Sequence, residues 1–319
     1  MGLPAVDPVV LGGAALVALG LDLAFGEPPA RWHPVVAMGR YLGAIGRRVS
    51  RADGAPARPG TEFGGGALGW CVGAVCAMAV AFALSLIIAP WHPLAQMLVL
   101  GLLLKPLLAW RMLRDEVRAV EQALGESLAA GRARLAWLVS RDVHALEAGQ
   151  VRESAIETLA ENLNDSVVAP LFWFAVGGLP AAALYRFANT ADAMWGYPGA
   201  RQGRNWQWAG KWAARADDAL SWLPARLTAL LLALARVRPL RGLWAQAGIT
   251  PSPNSGWPMA AMALALDVQL GKPGVYTLHP QGGRAQAADT ARALRLAARV
   301  VGMLAGLAAA ALFWSGGLS

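Results

Sequence analysis

From Phe63 to Leu104 the chain carries no Asp, Glu, Lys or Arg, a run of 42 residues. At roughly 20 residues per bilayer crossing, that is enough for about two transmembrane helices. No other feature restricts the fold as much, because a segment in lipid must satisfy its backbone hydrogen bonds internally. The run is interrupted once, by "APWHP" (Ala89 to Pro93), whose two prolines cannot continue a helix. The pattern predicts a transmembrane hairpin with helices near 66–89 and 94–113. Val300 to Ser319 is also charge-free and reads as a further span. Pro8 to Leu21 is apolar for only 14 residues before it meets Asp22, a marginal span that brings Asp22 near an interface.

Composition agrees. Charged residues make up 15% and apolar residues 56% of the 319 residues, whereas a soluble domain averages about a quarter charged. The net charge of +8 fits cytoplasmic loops, anionic lipid or an anionic substrate. The basic residues are scattered over short loops and form no dense stripe, which argues against nucleic acid as a partner. Cys71 and Cys76 sit inside the apolar run without Cys-x-x-Cys spacing and read as packing residues. The N-terminus has neither a basic n-region nor a small-residue cleavage site, so no signal peptide is expected.

Three apolar runs are broken. Ser166 to Tyr185 holds Pro170, Gly177, Gly178 and Pro180; Leu220 to Ala235 holds Pro224 and Arg226; Gly242 to Leu266 holds Pro251, Pro253 and Pro258. Interrupted helices are tolerated in a membrane where protein or water covers the freed backbone, and such segments often build sites. The arginines of residues 31–62 and 111–152 place both stretches on the cytoplasmic side, which a hairpin between them allows. A full crossing by 166–185 would put Arg186, Arg201, Arg204, Lys211 and Arg215 outside, against that bias. That segment is therefore expected to dip into the membrane and return, or to lie in the interface.

The sequence predicts an all-α polytopic membrane protein. It should have about four to six hydrophobic segments, some broken or re-entrant. Residues 1–319 read as one integral-membrane domain with a helical cytoplasmic portion at about 114–165. Gly131 is expected to end a helix there, and the Gly/Pro-rich stretch 51–66 to be an exposed, mobile loop.

Chemistry concentrates where polar residues meet apolar runs. In "VRESAIETLAEN", Glu153, Glu157 and Glu161 share one helix face. The row is either a solvated face or, with Asn162 and Asp165 continuing it toward the membrane, an oxygen-rich cluster of the kind Mg²⁺ selects. "ALYRFANTADAMWGY" supplies Asn189, Thr190 and Asp192, which either cap a helix or line a site. Asp217 and Asp218 precede an apolar run containing Arg226, a charge that is functional or snorkels to the interface. "SPNSGWPMAAM" offers Asn254. His33, His92, His144 and His279 show no metal-ligand spacing, and only His33 draws attention. Neither a P-loop nor a Gly-x-Ser-x-Gly elbow is present.

Four blocks in order resemble the CobD/CbiB family of cobalamin biosynthesis, the adenosylcobinamide-phosphate synthases. They are "DLAFGEPPARWHPVVAMGR", residues 139–197 with "ETLAEN" and "NTADAM", "ADDALSWLPARLTAL", and "SPNSGWPMAAMALAL". "GEPP" stands where the family usually has Gly-Asp-Pro. The resemblance implies ligation of a propionate of adenosylcobyric acid to aminopropanol or its phosphate, with ATP as cosubstrate and Mg²⁺. It implies a multi-pass protein of the bacterial inner membrane, its active site toward the cytoplasm, possessing lipid and other late cobalamin-pathway enzymes as neighbours. It assigns acid–base work to Glu157, Glu161, Asp165, Asp192 and Asp217, the first three also as metal ligands. It assigns substrate binding to His33, Asp142, Asn162, Tyr185, Arg186, Asn189, Arg226 and Asn254, the two arginines holding phosphate or carboxylate. A competing reading comes from distantly similar AmpE-type membrane proteins: a non-catalytic sensor or regulator whose polar blocks bind a ligand or partner.

Overall fold

The computed structural model describes residues 7–236 and 240–314, and nearly all of its regular structure is helical. The helices are α1 (Pro8–Phe25), α2 (Pro34–Val49), α3 (Pro59–Ile88), α4 (Pro93–Leu104), α5 (Trp110–Glu126), α6 (Leu128–Leu135), α7 (Ala148–Leu163), α8 (Ala169–Trp195), α9 (Lys211–Arg236), α10 (Leu243–Ala247), α11 (Gly256–Leu266) and α12 (Ala287–Trp314). Five short strands accompany them: β1 (Arg51–Ala52), β2 (Ala200–Arg201), β3 (Arg204–Asn205), β4 (Leu270–Lys272) and β5 (Tyr276–Leu278). Among the described residues, six helical stretches are long and apolar enough to cross a membrane: Pro8–Phe25, Pro59–Ile88, Pro93–Glu126, Ala148–Trp195, Lys211–Arg236 and Ala287–Phe313. The all-α membrane architecture expected from the charge pattern is what the chain adopts.

Local chemistry sets the helix starts. Pro8, Pro34, Pro59 and Pro93 each occupy a first turn, where a missing N–H costs nothing. Asp7, His33 and His92 cap three of these helices by accepting a backbone N–H. Several expected boundaries move. The second hairpin helix ends at Leu104 instead of 113, because Lys105–Leu107 tightens into a 3₁₀ turn around Pro106. The last helix begins at Ala287, well before Val300, and residues 315–319 of that expected span lie outside the described residues. Gly131 does not end a helix. The break falls at Ser127, whose Oγ caps α6 by accepting from Ala130 N at 3.1 Å. Gly131 sits inside α6, where a Cβ would strike the Leu124 side chain, so its role is the close approach of α5 and α6. The stretch 51–66 is only partly loop. It opens with β1 and is helical from Pro59, and Glu62 is buried where it accepts from Arg58 N at 2.7 Å and Arg51 Nη1 at 3.2 Å.

The chain forms two compact units. The first comprises residues 1–108, 169–221 and 307–319, and packs Leu42, Trp70, Ala74, Phe187, Ala191 and Trp195 into its core. Within it α8 is kinked as the sequence predicts: Gly178 takes φ +64°, a conformation open mainly to glycine. Here too β3 pairs antiparallel with both β1 and β2, Arg51 opposite Asn205 and Ala52 opposite Arg204. Arg204 also donates to Ser50 Oγ at 2.6 Å and to the Arg47 and Ser50 carbonyls at the end of α2. These contacts bring the segments around Arg51 and Arg204 together within the first unit.

The second unit comprises residues 109–168 and 222–306. Val117, Val120, Leu135, Ile156, Leu159 and Met259 are buried in it. The run 242–266 becomes the short helices α10 and α11, the latter only 11 residues long and buried nearly all round. β4 and β5 form a hairpin turning at Gly274, φ +74°.

Candidate functional site

The second unit holds the carboxylate row. α7 starts from a capping box in which Glu147 N donates to Gln150 Oε1 at 2.8 Å. Its helical period then brings Glu153, Glu157 and Glu161 to one face. The face is not solvated: Glu153 and Glu157 are each 2% exposed. Glu153 accepts from Arg284 Nη1 at 3.2 Å, and Glu157 accepts from Arg141 Nη2 at 2.7 Å. Arg141 Nη1 reaches on to the Gly271 carbonyl at 3.4 Å, tying the β4–β5 hairpin to α7. Tyr276, on β5, completes the group. Burial, then the negative charges of Glu157 and Glu161, hold its phenol well above the usual range, so the hydroxyl stays protonated and can donate. Glu161 is partly exposed at the open end of the row.

After Leu163 the helix widens into a π turn, Asn164–Val168. The Ser166 carbonyl accepts from Ala109 N at 3.0 Å. Asn164 is buried; its Nδ2 donates to Asp165 Oδ1 at 2.8 Å and its Oδ1 accepts from Thr228 Oγ1 at 3.1 Å. Asn162 donates to the Thr158 carbonyl at 3.0 Å. The wider turn shifts the register, so Asp165 does not extend the glutamate row. Among the described residues no three His, Cys, Asp or Glu side chains are placed to hold a metal. Of the three carboxylates expected to hold a metal, Glu157 bonds to Arg141, Asp165 accepts from Asn164, and Glu161 is partly exposed.

Arg226 and Asn254 do come together. Arg226 Nη1 donates to Asn254 Oδ1 at 2.8 Å, and its guanidinium lies over the Trp222 and Trp257 rings. Asp142 is exposed and accepts from His144 N at 2.9 Å, an Asx turn that shapes the loop before α7.

The remaining candidates lie in the first unit. Tyr185 is fully buried, its hydroxyl 3.3 Å from Ser221 Oγ. Arg186 Nη1 donates to Asn189 Oδ1 at 3.5 Å, one turn along α8. Asp192 and Asp217 are partly buried on α8 and α9. A Cβ on Gly196 would meet the Asp192 carboxylate. His33 Nδ1 accepts from Val35 N at 3.2 Å, so Nε2 carries the proton toward Glu27 Oε2, 2.9 Å away. Lys105 stands 3.3 Å from Glu27 and 3.4 Å from Asp22. Burial raises the Glu27 carboxyl, but the His33 hydrogen bond and the Lys105 charge outweigh it and hold the group below its usual range.

Sequence reasoning passed over Tyr276, Arg284 and Lys105 as site residues and took Arg141 only as a loop charge. Arg141 lies near the start of the 139–197 block, in "SRD", and "KPGV" before Tyr276 is a hairpin signal. Arg284 and Lys105 carry no local signal.

Comparison with known proteins gives one consistent picture. The family model described as "CobD/Cbib protein" matches residues 15–301. The chain is 39% identical to the "Probable cobalamin biosynthesis protein CobD" of Thermococcus kodakarensis, over 88% of this chain and 89% of that protein. It is 40% identical to the "Cobalamin biosynthesis protein CobD" of Chromobacterium violaceum, over 92% and 95%. The protein of the same name from Klebsiella pneumoniae is 36% identical over 82% of each chain. No solved structure matches significantly.

Proposed function

The chain belongs to the CobD/CbiB family, and from that premise we propose that it acts in cobalamin biosynthesis as an adenosylcobinamide-phosphate synthase. The reaction joins a propionate of adenosylcobyric acid to the amine of aminopropanol or its phosphate. The observation that carries the assignment to an enzyme is the folding of the α7 row into a built polar group. Two glutamates are buried against arginines, and the third, Glu161, stands partly exposed within the electrostatic reach of the Tyr276 hydroxyl.

A carboxylate is a poor electrophile. In this reading ATP phosphorylates it and ADP leaves; the amine nitrogen then attacks the acyl carbon, forming the C–N bond as the C–O bond breaks and inorganic phosphate departs. The amine must first give up a proton. Glu161 is the base we assign to that proton, and the neutral Tyr276 hydroxyl would donate to oxygen as negative charge builds. Arg141 hydrogen-bonds the Glu157 carboxyl and anchors the hairpin bearing Tyr276. The described residues supply no three-carboxylate cage. A Mg²⁺ ion fits instead as one carried on nucleotide phosphates with at most one or two carboxylates, where it would offset their charge. The site would face the cytoplasm of the bacterial inner membrane, the side to which the arginine-rich stretch 111–152 is assigned by the positive-inside bias.

The test uses the full chain in detergent with adenosylcobyric acid, aminopropanol phosphate, ATP and Mg²⁺, read by mass spectrometry. The amide product should form, require ATP and Mg²⁺, and vanish with Glu161→Gln while corrinoid binding persists. Corrinoid binding without product from the wild-type protein would overturn the ligase reading in favour of a sensor. Product at the wild-type rate from Glu161→Gln would remove Glu161 from the base role.

A further inference from the structure

Arg226 is held more firmly than a charge reaching for water requires. Its guanidinium carbon is 4.4 Å from the Trp222 ring centroid and 4.7 Å from that of Trp257. Nη1 donates to the Trp222 carbonyl and to Asn254 Oδ1, both at 2.8 Å, and Nη2 donates to the Pro253 carbonyl at 3.3 Å. Asn254 is only 5% exposed, so its amide oxygen is a fixed support. All three acceptors are neutral oxygens, none of which offsets the guanidinium charge with one of its own. Together they engage three of the five N–H donors that a guanidinium carries. The group is open: Arg226 is partly exposed and Trp222 is 55% exposed. Trp244, 80% exposed, meets Trp257 edge-on at 4.7 Å. An arginine that merely snorkels keeps a loose stem and a hydrated head.

We propose that Trp222, Arg226, Asn254 and Trp257 form a phosphate-binding site. A guanidinium fork matches phosphate oxygens bidentately. Holding it in place beforehand removes an ordering cost from binding. The exposed indoles beside it favour a phosphate borne on an apolar or flat body. Two sources share this chemistry: a soluble phosphorylated reactant, or the headgroup phosphate of a lipid. A phosphorylated reactant is also what the ligase reading expects. Binding is measured without turnover, so either idea can fail while the other stands.

The experiment uses the full chain in a phosphate-free maltoside detergent. Inorganic phosphate, aminopropanol phosphate and ATP are titrated by calorimetry, and co-purifying phospholipid is quantified by native mass spectrometry. Wild-type protein should bind at least one probe or retain phospholipid. Arg226→Gln should weaken that binding by about tenfold or more, the scale of a lost charged hydrogen bond. Arg226→Lys should restore it only in part, lacking the fork. Trp222→Leu keeps the backbone carbonyl and should weaken binding several-fold at unchanged melting temperature; it decides alone if Arg226→Gln does not fold. Loss of soluble-phosphate binding identifies a reactant, and loss of retained phospholipid alone identifies a headgroup. Binding unaltered in the folded variants, or absent from wild type, overturns the proposal and leaves Arg226 as a clasp between α9 and the loop before α11.

Discussion

Glu157 and Arg141 show what burial does to a pair of charges. Each is costly to remove from water, and the pair is tolerable because they meet at 2.7 Å with Arg141 also bonded to a carbonyl. Arg141→Ala should destabilise the protein by about 3 kcal/mol or more, because it strands a buried carboxylate. Adding Glu157→Gln should recover part of that loss. Chemical denaturation in detergent reads both, and additive effects would show the two residues to be uncoupled. Glu27 offers a titration test. Its carboxyl is held below the usual range, so its stabilisation is complete above the ordinary carboxylate range and is lost as pH falls through the lower native value. Melting temperature against pH should therefore drop more steeply on the acid limb for wild type than for Glu27→Gln; parallel profiles would rule the linkage out.

At the scale of elements, α5, α6 and α7 show how a local signal can be seen and misassigned. The polar middle is helical as its periodicity predicts, and the three glutamates share a face as their spacing requires. The helix break is at Ser127, because a side-chain oxygen there can cap α6 while Gly131 is needed for close packing. Gly131→Ala should accordingly destabilise by about 1–3 kcal/mol, the cost of overpacking, even though alanine is the better helix former. Thermal or chemical unfolding measures this, and a gain in stability would show that the α5–α6 contact yields. The π turn was not legible at all: nothing in "NLNDSVV" distinguishes it from α-helix, and it rests on Asn164 finding Thr228 from another helix.

At the scale of the whole molecule, the pairing of β1 with β3 decides topology. It places the loop around Gln202 on the same side as Arg51, although a long apolar helix separates that loop from the preceding one. In a background lacking Cys71 and Cys76, a cysteine at Gln202 should label with impermeant maleimide only from the cytoplasmic side. Labelling from the opposite side alone would contradict the cytoplasmic placement of this loop. Kinked α8 is consistent with this, since Gly177 and Gly178 break what would otherwise read as an uninterrupted crossing.

The amino-acid order by itself determined that this is a helical membrane protein, where its charge-free helices run, and which face of α7 carries Glu153, Glu157 and Glu161. Those properties follow from local composition and helical period, and a window of some 20 residues contains them. Only the tertiary structure decided that Arg141 bonds to Glu157 from 16 residues away and that Arg284 reaches Glu153 across 131. It alone set Tyr276 beside the glutamates, built the Trp222–Arg226–Trp257 stack and joined Asp165 to Asn164 within a π turn. Each of these depends on segments distant in the chain closing on one another. That closure is driven by the burial of whole helix faces, and no local pattern records which polar groups it will bring into contact.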